Sequence, residues 1–144
     1  MLPAELRAAC RWARHSRKRP LTADGAQASS TDPLTWTSYA VAARSGVGDG
    51  LGFMLGAGFA CLDIDHCLWD DGTPDVRALA ILEQVPGAYV EVSPSGDGLH
   101  VWGLASPRKG RRTPGFEVYS VDRFMTVTGR VFRPGGLVDL SMFF

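Results

Sequence analysis

The sequence has no long hydrophobic run, few cysteines and no excess of charge of either sign. No apolar stretch in its 144 residues approaches the roughly 20 residues needed to cross a bilayer. The first twenty residues, MLPAELRAACRWARHSRKRP, carry scattered charges and lack the apolar centre of a secretory signal. These absences predict a soluble, cytoplasmic protein with no membrane partner, and the length predicts one domain over residues 1–144.

The three cysteines, Cys10, Cys61 and Cys67, are too few and too irregular for a disulfide framework, which fits a reducing compartment. A zinc site formed by Cys61, His66 and Cys67 lacks the usual Cys-x-x-Cys or His-x-x-x-His spacing. Free, buried cysteines are therefore the favoured interpretation.

The formal net charge of zero argues at first against a polyanionic partner, but the charges are unevenly distributed. Residues 1–20 hold six bases against one acid, whereas residues 45–103 hold nine acids and one base. A second basic segment, SPRKGRRTPG, contains Arg108, Lys109, Arg111 and Arg112. Basic arms around an acidic centre suit a metal-dependent enzyme acting on a polyanion, and solvated loops are the alternative interpretation.

The order of local patterns predicts an α+β fold. Helices are expected over residues 4–15, from Pro33 to Gly46, and from Pro74 to Pro86. Three strand pairs are expected as hairpins: LGFML with FACLDID, AYVEVS with LHVWGL, and GFEVYS with RFMTVTG. Such pairs between helices predict a mixed or antiparallel sheet with flanking helices.

Two aspartates interrupt the strand pattern of FACLDID. Residues two apart on a strand point the same way, so Asp63 and Asp65 share one face while Leu62 and Ile64 share the other. Two like charges at this spacing repel each other and are costly to desolvate unless a cation lies between them. Converging carboxylates are the usual ligands of Mg²⁺ or Mn²⁺, which predicts a divalent metal site.

Two further residues extend this predicted site. Glu117 alternates with Phe116 and Val118, so it should reach the open face and complete a three-acid site for two ions. The alternative makes Glu117 a surface partner of Arg123 or Arg130. His100 follows the glycine loop PSGDG, whose backbone amides suit phosphate binding, although a single histidine is also common in a packed core.

The stretches FACLDIDHC, YVEVSPSGDGLHVWG and FEVYSVDRFMTVTG, in this order and spacing, resemble the catalytic domain of the archaeo-eukaryotic primase superfamily. The resemblance is to the primase-polymerases of phages, prophages and plasmids in particular, and it runs from about Trp12 to Gly129. It implies an RRM-like catalytic core. RKRPL and ASSTDPLTW resemble the N-terminal pieces of that family.

The resemblance also implies roles for individual residues. Asp63, Asp65 and Glu117 would be the catalytic acids and ligands of a two-metal Mg²⁺ or Mn²⁺ site. His100 would contact the phosphates of the incoming nucleotide, with Ser93 and Ser95 contributing from the loop and Arg123 and Lys18 as further substrate contacts. The family's second motif is most often Ser-x-His, whereas Gly98 stands two residues before His100 here, so the hydroxyl must come from the Ser93–Ser95 loop or be missing.

The function expected from these observations is template-dependent DNA synthesis, with nucleoside triphosphates and a DNA template as substrates. Relatives usually carry further sequence, often a helicase domain, so a minimal protein with a separate helicase, an excised domain and a degenerate module all stay open. The main alternative is a non-catalytic module that binds nucleic acid or nucleotide. A strand-nicking initiator with Tyr119 as nucleophile is disfavoured, because such enzymes use a closely spaced histidine pair and only His100 lies in that strand.

Overall fold

The protein is described by a computed structural model covering residues 1–144. It contains three α-helices: α1 (Ala4–Ala8), α2 (Tyr39–Arg44) and α3 (Val76–Gln84). Short 3₁₀ turns cover Pro33–Thr35 and Ser141–Phe143. The eleven strands are β1 (Trp12–Ser16), β2 (Arg19–Leu21), β3 (Gly50–Met54), β4 (Phe59–Ile64), β5 (Val90–Val92), β6 (Leu99–Leu104), β7 (Arg111–Arg112), β8 (Glu117–Tyr119), β9 (Phe124–Val127), β10 (Val131–Arg133) and β11 (Val138–Asp139). No helix is both long enough and apolar enough to span a bilayer.

The strands form two sheets, which confirms the α+β class. The smaller sheet has the order β2-β1-β3-β9, and all its neighbours are antiparallel. The larger sheet has the order β10-β5-β6-β4-β8-β7, with β11 added in parallel to β6, so it is mixed as predicted. Its two longest strands, β4 and β6, lie at the centre and pair over their full lengths.

Each face of the larger sheet buries its own cluster of side chains, because alternate residues of a strand point to opposite faces. On one face, Leu62 of β4 and Val101 of β6 pack with Ile81 and Leu82 of α3. On the other face, Cys61 and Trp102 pack against side chains of the smaller sheet, among them Phe53. The two sheets therefore lie face to face over a shared apolar core.

The first predicted helix is wrong beyond Ala8, because the chain changes there from helix to strand. Trp12 and Ala13 are consecutive and both fully buried, which an amphipathic helix does not allow but a central strand does. Strand β1 pairs with β2 on one side and β3 on the other. Cys61 and Cys67 are free and buried as expected, but the prediction of burial is wrong for Cys10, which is exposed. Strand pairing across the fold overrides the local helical pattern.

The second predicted helix begins later than expected. The segment opens with the 3₁₀ turn at Pro33–Thr35, and Thr37 then exchanges two backbone hydrogen bonds with Trp12, at 3.0 and 2.8 Å. Helix α2 starts only after this bridge, where the Ser38 side chain accepts a hydrogen bond from the Val41 amide. The third predicted helix is confirmed as α3, with Asp75 as its N-cap.

Of the three predicted hairpins, only the middle one forms. Strands β5 and β6 pair in antiparallel register across the glycine loop. The strands of the first pair, β3 and β4, lie in different sheets, because the turn at Gly56–Gly58 carries the chain from one sheet to the other. The third pair is separated in the same way, with β8 beside β4 and β9 beside β3. Local alternation predicts that a strand exists but does not choose its partner.

Candidate metal and nucleotide site

The structure brings Asp63, Asp65 and Glu117 together on the face of the larger sheet that looks toward the smaller sheet. Asp63 on β4 lies directly opposite Glu117 on β8, and Asp65 follows just beyond the end of β4. One carboxylate oxygen from each residue lies within 4.8 Å of the other two. The spacing that motivated the prediction therefore does place three acids around one point.

The same row of β4 side chains is apolar at one end and acidic at the other. Phe59 and Cys61 pack in the core between the sheets, and Asp63 and Asp65 continue the row to where the sheets separate. Asp63 is consequently partly buried, with 21% of its side chain exposed. Burial raises the pKa of Asp63 above its ordinary 3.8, and repulsion from Asp65 and Glu117 raises it further, while His100 and Lys18 act in the opposite direction.

These residues fit a divalent cation. The Asp63 Oδ1 atom is buried and accepts no hydrogen bond, an arrangement that costs free energy unless a cation or a donor approaches it. Three carboxylates and no sulfur or imidazole within the cluster suit a hard ion such as Mg²⁺ or Mn²⁺. The acids are therefore the residues of this chain that could hold a metal.

Glu117 pairs with a different arginine from the two that the surface interpretation names. Its Oε1 accepts a hydrogen bond from the Tyr119 hydroxyl and forms a salt bridge with Arg112 Nε at 2.8 Å, while that Nε donates to the Tyr119 hydroxyl. The alternative partners are engaged elsewhere, since Arg123 stacks on the Tyr119 ring at 4.1 Å and Arg130 donates to the Ser93 carbonyl. The pairing of Glu117 with Arg123 or Arg130 is thus wrong, and Arg112 is its cation.

The glycine loop between β5 and β6 is a compact turn at the edge of the same cleft. The Ser93 amide donates to the Gly98 carbonyl at 2.9 Å, and Gly96 adopts a φ of 87° at the tip. The hydroxyls of Ser93 and Ser95 lie 3.0 Å apart, and Ser95 donates to Asp97. Ser93 and Ser95, both predicted to contact the nucleotide, therefore lie next to each other.

The loop explains why glycine stands two residues before His100. A Cβ at Gly98 would lie 2.8 Å from Ser93 Oγ and 3.0 Å from the Ile64 carbonyl oxygen. A serine at this position would therefore crowd the Ile64 carbonyl and displace the Ser93 hydroxyl, which occupies the neighbouring space. The departure from Ser-x-His is thus accompanied by a serine hydroxyl supplied from the other side of the loop.

His100 lies between two carboxylates, one of which the sequence reasoning missed. On β6 it is the direct neighbour of Asp63 on one side and of Glu91 on the other. Its Nε2 is 3.6 Å from Asp63 Oδ1 and its Nδ1 is 3.8 Å from Glu91 Oε2. His100 is 4% exposed, and its Nδ1 has no hydrogen-bond partner.

Glu91 is fully buried, an uncommon position for an acid. It accepts hydrogen bonds from the Tyr89 hydroxyl at 3.1 Å and from the amides of Thr128 and Gly129 at 2.8 and 3.3 Å. The alternation in AYVEVS could have indicated the face on which Glu91 lies, because Tyr89, Glu91 and Ser93 alternate with Val90 and Val92. Glu91 thus holds β5 to the turn after β9 and faces His100.

A cleft of about 630 Å³ opens over Asp63 and Asp65 between the two sheets. The larger sheet contributes Asp63, Asp65, His100 and the serine loop, and the smaller sheet contributes Lys18, Arg123 and Thr126. Both predicted substrate-contacting cations therefore face the acidic cluster across the cleft, an arrangement that suits a ligand carrying both phosphate and metal.

The second basic segment lies outside this cleft, on the outer side of β8. Arg111 donates to the Phe143 carbonyl at 3.2 Å, Arg108 lies over the Phe144 ring, and Arg112 pairs with Glu117. Lys109 makes no such contact and is exposed. All four stay predicted nucleic-acid contacts, but three of them also hold parts of this chain.

The candidate zinc ligands do not meet. Cys61 lies in the core between the sheets, whereas Cys67 lies on the opposite face and bonds to the Ile64 carbonyl. His66 is 80% exposed and pairs with Asp97 at 2.7 Å. This geometry leaves the three-acid cluster as the candidate metal site.

Comparison with known proteins adds one relative. No protein-family model matches the chain. Over 123 residues the chain is 37% identical to a protein of the Nitratiruptor phage NrS-1. That relative is a DNA primase-polymerase. The alignment covers 76% of this chain and 17% of the relative, so the chain corresponds to a small part of a much longer protein. The chain is thus similar to part of a phage primase-polymerase, in agreement with the resemblance drawn from its motifs.

Proposed function

We propose that the chain is a template-dependent DNA primase-polymerase domain spanning residues 1–144, which transfers nucleotidyl groups from nucleoside triphosphates to a 3′-hydroxyl. The observation that carries this proposal is the convergence of Asp63, Asp65 and Glu117, of which the two aspartates line a cleft whose opposite wall carries Lys18 and Arg123. The named function of the phage relative supports the same reaction. In a phage-related setting the reaction would serve replication of mobile-element DNA.

The three acids would hold Mg²⁺ or Mn²⁺. When bound, such ions lower the pKa of the attacking hydroxyl and neutralise charge on the departing pyrophosphate. The carboxylates supply the negative field that localises the cations, and their rigid attachment to β4 and β8 fixes where the reacting phosphate must lie. Asp63 is the most buried of the three acids.

His100, the Ser93–Ser95 loop and two cations would bind the triphosphate. The His100 imidazole reaches the cleft through Nε2, beside Asp63, and hydroxyls of Ser93 and Ser95 lie at the same edge. Lys18 and Arg123 approach from the smaller sheet, so negative charge on the phosphates meets cations on the side away from the acids. The arrangement orients the α-phosphate toward the metal ligands.

Tyr119 is poorly suited to nucleophilic nicking. Its hydroxyl donates to Glu117, its pKa is raised by burial first and by that carboxylate second, and the Arg123 guanidinium covers its ring. A partly buried phenol of raised pKa is a weak nucleophile at neutral pH. The site geometry favours nucleotidyl transfer over a covalent tyrosyl intermediate.

An extension assay tests the proposal. Single-stranded template is incubated with ribonucleotides or deoxynucleotides, with and without a primer, in Mg²⁺ or Mn²⁺. Template-dependent products in at least one nucleotide set are expected. Binding of template or nucleotide without any product in all combinations would replace the proposal with the non-catalytic binding module.

A further inference from the structure

The turn between β1 and β2 places two long cationic side chains where the backbone disfavours them. Ser16 and Arg19 are direct partners, so Arg17 and Lys18 form a two-residue hairpin turn. Their φ angles are 50° and 65°, and positive φ at both positions is the signature of a type I′ turn. Asparagine and glycine are the residues that such a turn prefers, because a larger side chain crowds the backbone in the left-handed region.

The turn is held in this conformation by the neighbouring chain. The Arg17 amide donates to Asp49 Oδ2 at 2.7 Å, and the Asp49 amide donates to the His15 carbonyl at 2.6 Å. Gly48 packs so closely that a Cβ there would lie 2.1 Å from the His15 carbonyl oxygen. The tip is therefore a fixed element, and its two cations project from a defined position.

The cations at this tip are free of acidic partners. Arg17, Lys18 and Arg19 are consecutive and exposed, and none of them forms a salt bridge with a carboxylate side chain. Lys18 lines the catalytic cleft, whereas all three line a second cavity of about 670 Å³ that shares Lys18 and Pro20 with the cleft. The basic surface thus runs continuously from the mouth of the cleft to the outside of the molecule.

We propose that the Arg17–Arg19 tip is a rigid phosphate-binding element for the single-stranded DNA template as it enters the cleft. The proposal rests on the proposed function, because that function makes a DNA strand the polyanion at this cleft. Successive cations on a fixed turn match the successive phosphates of a strand, and Lys18, which also faces the triphosphate site, would lie where the strand meets the incoming nucleotide. Backbone contacts of this kind position the strand without reading its sequence.

The strained turn allows a test in which stability and binding change in opposite directions. Arg17→Asn alone, and Arg17→Asn with Lys18→Gly, install the residues that the turn prefers. Their melting temperature should stay level or rise by a few degrees, because the crowding is relieved. Binding of a fluorescent single-stranded oligonucleotide, measured without metal or nucleotide, should weaken about tenfold for each lost charged contact.

The salt dependence of binding identifies the contact as one with phosphate. The slope of log K against log salt should flatten by about 0.7 for each contact removed. Arg44→Asn is the matched control, since Arg44 is an exposed arginine at the end of α2 that lines neither cavity, and it should change neither slope nor affinity. Arg19→Thr, which leaves the turn residues intact, should weaken binding in the same way.

Two results would overturn the inference. One is a raised melting temperature with unchanged oligonucleotide affinity in both turn variants. The other is a loss confined to nucleoside triphosphate affinity in Arg17→Asn and Arg19→Thr, which keep Lys18, because that loss would assign the tip to the nucleotide. Because no catalysis is involved, hairpin-dependent DNA binding in a protein that makes no product would sustain this inference while refuting the proposed polymerase activity.

Discussion

Asp63 on β4 and Glu117 on β8 are directly opposed in antiparallel register, and His100 opposes Asp63 from the other side on β6. Three adjacent strands therefore deliver acid, acid and imidazole to one row across the sheet. Because the pairing is fixed by the apolar residues between these positions, the row is preorganised before any ligand arrives. Without metal, repulsion among these acids lowers the stability of the fold, and a bound cation relieves that repulsion.

We expect removal of an acid to separate these two effects. Asp63→Asn and Glu117→Gln should leave the metal-free protein equally stable or more stable, because repulsion is relieved. The same substitutions should abolish the rise in melting temperature that Mn²⁺ gives the parent by binding its folded state. Glu83→Gln, which removes an exposed acid of α3, should retain the full rise. No Mn²⁺-induced rise in the parent, or an equal rise in all variants, would refute the site.

The raised pKa of Asp63 predicts how metal-free stability depends on pH. A carboxyl whose pKa is higher in the folded state than in the unfolded chain stabilises the fold while it is protonated. That contribution is complete below the ordinary value of 3.8 and is lost as pH rises through the folded-state pKa. Relative to Asp63→Asn, the parent in EDTA should therefore lose stability as pH rises from about 4 to neutrality. Urea unfolding at several pH values measures this difference, and parallel curves would contradict it.

His100→Ala should weaken nucleotide binding more than template binding. The loss of one charged hydrogen bond to a phosphate is worth about 1.5–3 kcal/mol, or roughly ten- to 150-fold in the nucleotide Kd. Fluorescent nucleotide and oligonucleotide titrations measure the two affinities separately. Because His100 is buried, His100→Asn serves as a second variant that keeps a polar side chain.

Two results bear on this prediction for His100. Equal loss of both affinities together with a collapse of the melting temperature would mark His100 as a packing residue. Tyr89→Phe is the matched control, since it removes a hydrogen bond to the far side of Glu91 without touching His100. It should lower stability by about 1 kcal/mol and leave nucleotide affinity unchanged.

The basic segment outside the cleft is predicted to contact DNA, and a fourfold and a single substitution test this. Replacing Arg108, Lys109, Arg111 and Arg112 with Ala should weaken DNA binding similarly across sequences and flatten the salt slope by about 0.7 to 0.9 for each lost phosphate contact. Lys109→Ala is the cleanest single change, because the exposed Lys109 side chain forms no hydrogen bond, salt bridge or cation–π contact within the chain. An unchanged slope in the fourfold variant would assign the segment to the solvated surface.

Alternation within single strands was enough to predict where the acids point. The spacing of Asp63 and Asp65 against Leu62 and Ile64 fixes which face each occupies, and Glu117 follows the same rule. Only the face is predictable in this way. That β8 lies beside β4, so that Glu117 meets Asp63, depends on pairing between distant segments that leaves no local trace.

The features that sequence reasoning missed all depend on neighbours distant in the chain. The sequence pattern predicts that Trp12 lies in a helix, yet it lies in a strand with partner strands on both sides. The sequence pattern places Glu91 on a strand but does not predict its burial, which backbone amides from the turn after β9 make possible. Arg112, rather than Arg123 or Arg130, pairs with Glu117 because β7 and β8 are adjacent.

Pyrophosphate release tests the central claim most directly. Parent, Asp63→Asn and Glu117→Gln proteins are each given a single-stranded template, Mn²⁺ and one nucleotide at a time. The account predicts that the parent releases pyrophosphate only with the nucleotide complementary to the template, and that both variants release none. No release by the parent with any nucleotide, or equal release by the variants, would contradict it.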